Sequence, residues 1–373
     1  MSDCVPVGGE DDCGVVHLSH QLQQPSTKAF LTGECADPDA LSLLKAYYLE
    51  PLDNLRAKFA DEARTFVGSH PSSRSAVPLF ARVSLGFAPP PKGAQRPHRL
   101  PGRLVVSLTS HPRRFRTLAL TLRALLQQTL KADHTILWVT RGDRRLLPKD
   151  VLDLQKTGLE IRTAEDMRSY MKVIPALEAF PDAFICTADD DTYYWPTWLQ
   201  ELVDGYERAN PTVTCHRAHG ITFDAQGRLS PYARWRRHVR PRGEAINLFP
   251  TGCMGVLYPP GTLSHNADDR AAALDRCPLA DDVWLYWIGQ RNGARYKTVG
   301  RRRRQVTWYG SQRFSLWSFN ANGGNDLQIR RIAEKYGYPP VLAKIAQANG
   351  HGSVTSISTV PPIELSTYAL LAP

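Results

Sequence analysis

"FICTADDDTYYWP", residues 184–196, places three consecutive aspartates behind a short apolar run and follows them with aromatic residues and a proline. Adjacent carboxylates repel one another, so a chain that keeps three of them together needs a cation, or a chemistry, that offsets the repulsion. The run "AFICTA" (183–188) reads as a buried strand, and the aspartates sit at its end. Alternation along an extended chain sends Asp189 and Asp191 to one side and Asp190 to the other. Two carboxylates facing the same way at a strand end suit Mg²⁺ or Mn²⁺ shared with substrate phosphates. The ordinary alternative is an acidic turn that caps a helix starting near Pro196. Three aspartates in succession favour the metal.

Outward from this point the pattern alternates strand and helix. "RLVVSL" (103–108), "HTILWVT" (134–140) and "LEIRTA" (159–164) read as short buried strands. Residues 115–127 form a helix with Phe115, Leu118, Leu122 and Leu125 on one face, and 169–180 has a helical pattern despite Pro175. A further helix from Pro196 carries Leu199, Leu202, Val203 and Tyr206 inward. Such alternation predicts an α/β fold with a doubly wound, mainly parallel sheet flanked by helices. Ligands bind such sheets at the carboxyl ends of the strands, where the aspartates lie.

Upstream, residues 1–36 are polar, acidic and aperiodic and are expected to form a disordered tail. Residues 37–86 form a partly helical N-terminal extension. In it, 37–67 carries Leu44, Tyr48, Leu52, Leu55, Phe59 and Phe66 at helical spacing, with Pro51 as a kink. The Pro/Gly-rich stretch 87–102 is a linker, 103–335 is the catalytic unit, and 336–373 is a C-terminal tail.

The whole chain of 373 residues carries +10, unevenly: residues 1–39 hold −6 and the remainder +16. That bias favours anionic partners. The seven cysteines show no C-x-x-C spacing and read as reduced thiols. No signal peptide is legible, and no window approaches the roughly twenty apolar residues of a membrane span. The expectation is a cytoplasmic protein, peripheral at the inner membrane face if its acceptor is lipid-linked.

Four further stretches carry candidate chemistry. In "SLTSHPRRF" (107–115), Thr109 and Ser110 offer hydrogen-bonding hydroxyls, and Arg113 and Arg114 suit phosphate. In "EDMRSYMKVIPAL" (165–177), Lys172 sits one turn inside the expected helix, within reach of a phosphate or an aspartate. In "PLADDVWLYWIGQRNG" (278–293), Asp281 and Asp282 begin a helix, either as caps or with one acting as general base. In "FPTGCMGVLYPPG" (249–261), Gly252 and Gly255 allow close backbone approach to a ligand or a tight bend. Two basic stretches, "ARWRRHVRPR" (233–242) and "RRRR" (301–304), suit a diphosphate, an anionic acceptor, or simply solvent. In "WYGSQRFSLWSFNANGGNDLQIRRIAEKYG" (308–337), Asn320, Asn325 and Asp326 lie at or before the start of a last helix.

Residues 103 to about 300, with the first strand, the D-x-D and the late acidic helix start in this order, resemble GT-A fold glycosyltransferases, close to the family 2-like bacterial group. The resemblance implies transfer of a sugar from a nucleotide-diphosphate sugar, a UDP-sugar first among them, to a hydroxyl of a glycan or lipid-linked acceptor. It implies Mn²⁺ or Mg²⁺ on Asp189 and Asp191. Donor contacts fall to Thr109, Ser110, Arg113, Arg114, Lys172, Asp189 and Asp190. By resemblance to inverting enzymes the base is Asp282, with Asp281 in reserve. A third metal ligand, commonly His, has no counterpart between His265 and His351. A nucleotidyltransferase of similar sheet is the second enzyme reading, without a Gly-rich phosphate loop after the first strand to support it. A basic nucleic-acid-binding protein is the alternative from another class, but no recognition motif supports it.

Overall fold

The computed structural model describes residues 95–339, except 210–211, 242, 244–246, 264–266, 309–310, 312–315 and 317–319, together with Leu342. The acidic tail, the helix expected over 37–67 and nearly all of the C-terminal tail lie outside the described residues.

Seven strands form the main sheet: β1 (Leu104–Thr109), β2 (His134–Val139), β3 (Leu159–Thr163), β4 (Phe184–Thr187), β5 (Thr212–Cys215), β8 (Val256–Tyr258) and β9 (Arg295–Thr298). A separate antiparallel pair, β6 (Ala218–Gly220) and β7 (Leu248–Pro250), stands beside it. The order across the main sheet is β9-β5-β8-β4-β1-β2-β3. Every neighbouring pair is parallel except those made by β8, which runs antiparallel to both β4 and β5.

Both faces of the sheet are covered at its centre, so β1, β2 and β4 are buried almost throughout, while the edge strands β3 and β9 keep partly exposed polar residues. Leu104, Val106 and Leu108 of β1 face one core with α1 (Phe115–Leu126) and α3 (Trp198–Asp204). Val105 faces the other, with α2 (Ile174–Ala179), α5 (Asp281–Arg291) and α6 (Asn325–Tyr336); α4 (Ala267–Arg276) packs against α6 on that side. The expected face of α1 is intact: Phe115, Leu118, Leu122 and Leu125 are all buried in one cluster. The result is a mixed α/β protein with a mostly parallel seven-stranded sheet flanked by helices, compatible with a Rossmann-like arrangement.

This order places the site. The chain runs β1, β2, β3 toward one edge, then returns to lay β4 on the other side of β1. The direction reverses at the carboxyl ends of β1 and β4, the place where open α/β sheets bind their ligands. Because β8 is antiparallel, it begins where its neighbours end: Val256 lies opposite Thr187 on one side and Cys215 on the other. The loop before β8, and the residues following β5, therefore arrive at the same edge as the aspartates.

The continuous helix expected over 169–180 is broken. A 3₁₀ turn covers Arg168–Lys172, and α2 starts only at Ile174, with Pro175 in its first turn. Proline lacks the N–H a helix interior needs but is tolerated in a first turn, so the chain restarts there. Lys172 consequently ends the 3₁₀ turn instead of lying within a helix.

Candidate active site at the carboxyl ends of the strands

The extended conformation assumed for the three aspartates ends too early for strand alternation to sort them. β4 stops at Thr187, and Asp190 and Asp191 occupy a turn. Asp190 and Asp191 converge on one guanidinium. Arg114 donates to Asp190 Oδ1 at 3.2 Å and also to Asp191 Oδ2. Ser110 Oγ donates to Asp190 Oδ2 at 2.5 Å. Thr192 Oγ1 donates to Asp191 Oδ1 at 3.2 Å. Asp189 takes a different cation, Lys172, whose Nζ lies 2.7 Å from its Oδ1. The grouping expected of Asp189 with Asp191 is thus replaced by Asp190 with Asp191, since the turn, not the pleat, orients them.

The backbone of the turn is held from both sides. Tyr194 Oη accepts from Asp189 N at 2.7 Å. Thr121 Oγ1, from α1, donates to the carbonyls of Asp190 and Thr192 at 2.9 and 3.1 Å. Residues 305–308 cross the turn as a strap: Tyr193 N donates to Val306 O at 2.8 Å, and Trp308 N to Asp191 O at 3.0 Å. Trp308 Nε1 donates to Thr121 Oγ1 at 2.7 Å, closing the frame.

Lys172 joins the two acidic regions of the sequence. Its Nζ, 2.7 Å from Asp189, is 3.0 Å from Asp281 Oδ2. The side chain is almost wholly buried. Burial works against the ammonium, but Asp189, Asp281 and Asp282 outweigh it and hold the pKa well above its ordinary value. Burial likewise opposes the Arg114 charge, and Asp191 and Asp190 overcome it.

Neither acidic residue at the start of α5 caps it. The N-cap is Ala280, with no side-chain cap, and Asp281 and Asp282 lie in the first turn. Acidic side chains suit a helix N-terminus electrostatically, but these two carboxylates point elsewhere. Asp282 accepts Gly252 N at 3.0 and 3.1 Å through its two oxygens. Burial, and then the Asp281 charge, push Asp282 up to about 7, against the pull of Lys172 and the Gly252 N–H. A carboxyl so placed exchanges its proton near neutrality. Gly252 permits this approach, because a Cβ there would stand 2.8 Å from Asp282 Oδ1.

The other sequence candidates distribute unevenly. Thr109 Oγ1 is turned to Trp138 O at 3.0 Å, and Arg113 is exposed. Gly255 has φ +94 and lets Trp198 lie against the backbone, where Trp198 Nε1 donates to Met254 O at 2.7 Å. In the basic stretches, Trp235 is core and Arg240 ties the carbonyls of His216 and Val299 at 2.9 and 3.0 Å. Arg303 stacks on Trp195 with its guanidinium 4.7 Å from the ring centroid, while Arg301, Arg302 and Arg304 are exposed. Asp326 Oδ1 accepts Tyr232 N at 2.8 Å, which ties the 231–235 segment to the start of α6.

Arg217 was not among the sequence candidates. It follows β5 and is buried, and its guanidinium lies 2.7 Å from Cys253 Sγ, one residue from the Gly252 that holds Asp282. The signal was present as an arginine immediately after a buried strand, "TVTCHR" (212–217). Among the described residues no group of three or more His, Cys, Asp or Glu is arranged to hold a metal by itself. The cysteines among them, Cys186, Cys215, Cys253 and Cys277, are free thiols. No described helix is long and apolar enough to cross a membrane.

No family model and no curated protein matches the chain. Among solved structures it is similar to the inositol-1-phosphate CTP transferase from T. maritima, with TM-score 0.33 and 11% identity. That match covers 65% of this chain and 98% of the other. At this TM-score the likeness bears on neither mechanism nor substrate.

Proposed function

We propose that the chain is a glycosyltransferase of GT-A type, moving a sugar from a nucleotide-diphosphate sugar to an acceptor hydroxyl with inversion. The observation that carries this reading is Lys172, which brings the strand-end Asp189 and the helix-start Asp281 within 2.7 and 3.0 Å of one ammonium. Direct displacement at an anomeric carbon needs a positive site for the departing diphosphate and a base on the opposite side. Lys172 and Arg114 would serve the first role and Asp282 the second, at the switch point where an α/β sheet binds ligands.

In this reading Asp282 takes the proton of the acceptor hydroxyl as its oxygen attacks the anomeric carbon. The bond between that carbon and the diphosphate oxygen breaks, and the leaving group takes the electron pair. Lys172 and Arg114 meet the charge that develops. Four carboxylates touch the two cations and a fifth, Asp282, accepts the Gly252 N–H, so a diphosphate would meet an acidic excess unless further positive charge accompanied it. A divalent cation bound with the diphosphate would supply that charge and Lewis-acid stabilisation of the leaving group. Asp189 fits it best: its side chain is 29% exposed, against 11% and 8% for Asp190 and Asp191. Asp191 fits less well, because its oxygens already engage Arg114 and Thr192.

Nucleotidyl transfer to a sugar phosphate would use a similar sheet but needs no base, since the attacking phosphate is already ionised. A carboxyl raised to about 7 favours an acceptor with a proton to lose.

A thermal-shift screen of UDP-, GDP-, CMP- and dTDP-sugars, with and without Mn²⁺, tests this. One nucleotide-sugar class is expected to raise the melting temperature, and more with Mn²⁺ than alone, because bound ligand stabilises by mass action. Release of pyrophosphate from CTP or UTP with a sugar phosphate, and no response to any nucleotide sugar, would replace this reading with nucleotidyl transfer.

A further inference from the structure

The aspartate turn takes its shape from residues far away in the sequence. β4 ends at Thr187, so the turn has left the main sheet, yet Asp190, Asp191 and Thr192 are buried. Buried carbonyls need donors. Three successive ones find them outside the turn. Thr121 Oγ1 donates to Asp190 O at 2.9 Å and to Thr192 O at 3.1 Å, its single proton shared between them. Trp308 N donates to Asp191 O at 3.0 Å, and Trp308 Nε1 donates to Thr121 Oγ1 at 2.7 Å. Both side chains are buried. Threonine is a weak helix former, and at position 121, midway along α1, its hydroxyl serves the turn.

From 303 to 308 the chain runs antiparallel to the turn and to the aromatic residues after it. Arg303 stacks on Trp195 and donates to Glu201 Oε1 at 3.2 Å. Gln305 Nε2 donates to Thr192 Oγ1 at 3.2 Å, Tyr193 N donates to Val306 O at 2.8 Å, and Thr192 and Thr307 form an antiparallel bridge. A planar peptide leaves only two soft dihedrals per residue, so holding three consecutive carbonyls fixes the direction in which each Cβ leaves. Asp190 and Asp191 therefore meet at Arg114 because their carbonyls are held, not because a strand pleat aligns them. The base side is held separately: Asp282 accepts Gly252 N, from the loop before β8.

We infer that Thr121 and Trp308 are positioning residues for the donor side of the site. Through the backbone of the turn they set where Asp190, Asp191 and Arg114 meet the diphosphate, and they leave the base at Asp282 untouched. This rests on the glycosyltransferase reading and adds to it the pair that holds the donor half of the site in place. A misplacement of about 1 Å in such a group costs on the order of a hundredfold.

The test uses three variants. Thr121→Val keeps the side-chain shape and removes the hydroxyl, Thr121→Ser restores it, and Trp308→Phe removes the indole N–H. Donor affinity is read by calorimetry, with whichever of the UDP-, GDP-, CMP- and dTDP-sugars stabilises the wild type. Hydrolysis of the same donor, with water as acceptor, gives kcat against pH. Thr121→Val and Trp308→Phe are expected to weaken donor binding by about ten- to a hundredfold. Thr121→Ser is expected to recover most of that affinity, and the pH at which kcat rises is expected to stay at the wild-type value. Chemical denaturation shows that each variant is folded where it is assayed. Unchanged donor affinity in the folded Val and Phe variants would make the pair structural only and overturn the inference. So would a pH profile that moves with the loss, a Thr121→Ser variant as weak as Thr121→Val, or failure of both other variants to fold. A wild type that neither binds nor hydrolyses any sugar nucleotide would instead reject the glycosyltransferase reading.

Discussion

Asp282 shows how one carboxyl is tuned by its neighbours. It is raised by burial and by Asp281, and restrained by Lys172 and the Gly252 N–H. Its folded pKa, about 7, lies above the ordinary 3.8, so the fold favours its protonated form. The stability it contributes is therefore full below pH ~4 and is lost as pH rises through about 7. Asp282→Asn keeps an oxygen for Gly252 N and removes that penalty. The variant is expected to lose transfer by roughly 10²- to 10⁴-fold while retaining donor affinity. It should also melt higher than wild type at pH 8, with the gap closing toward pH 4. Melting curves at both pH values and donor titration check this. Loss of donor binding would show that the base had been misplaced.

At the level of elements, the loop before β8 carries the geometry. Gly255 adopts φ +94, and any Cβ there would enter the Trp198 ring. Gly255→Ala combines a disfavoured backbone with a core clash and is expected to destabilise by about 2–4 kcal/mol. Chemical denaturation reads that loss, and an unchanged midpoint would contradict the packing described. The start of α5 and the strand ends were legible in the sequence, because buried apolar runs and an acidic helix start are local signals. The orientation of the aspartates was not. Alternation holds only while the strand lasts, and β4 ends at Thr187, two residues before the first aspartate. Likewise the break before Pro175 put Lys172 where it bridges Asp189 and Asp281, a long-range contact that no helical periodicity encodes.

Over the whole molecule, topology decides which sequence regions meet. The antiparallel β8 delivers Gly252 beside Asp282, and β5 delivers Arg217 to the same edge. The α/β class and an acidic cluster at the strand ends could be read from residues 103–300. Arg217 showed there only as an arginine after a buried strand, and the strap at 305–308 not at all, since the places of both come from long-range pairing. The repulsion among Asp189, Asp190 and Asp191 is offset within the protein by Arg114 and Lys172, and the acidic excess that remains is what a nucleotide-bound cation would neutralise.

The most direct test is the pH dependence of kcat/KM for sugar transfer, in wild type and in Lys172→Gln. Wild type is expected to gain activity as pH rises through about 7, as Asp282 ionises. Lys172 lowers the Asp282 pKa, so its removal should move the rise to higher pH. A rise near pH 4, or one that stays in place when Lys172 is replaced, would contradict the charge cluster around Lys172 on which the account depends.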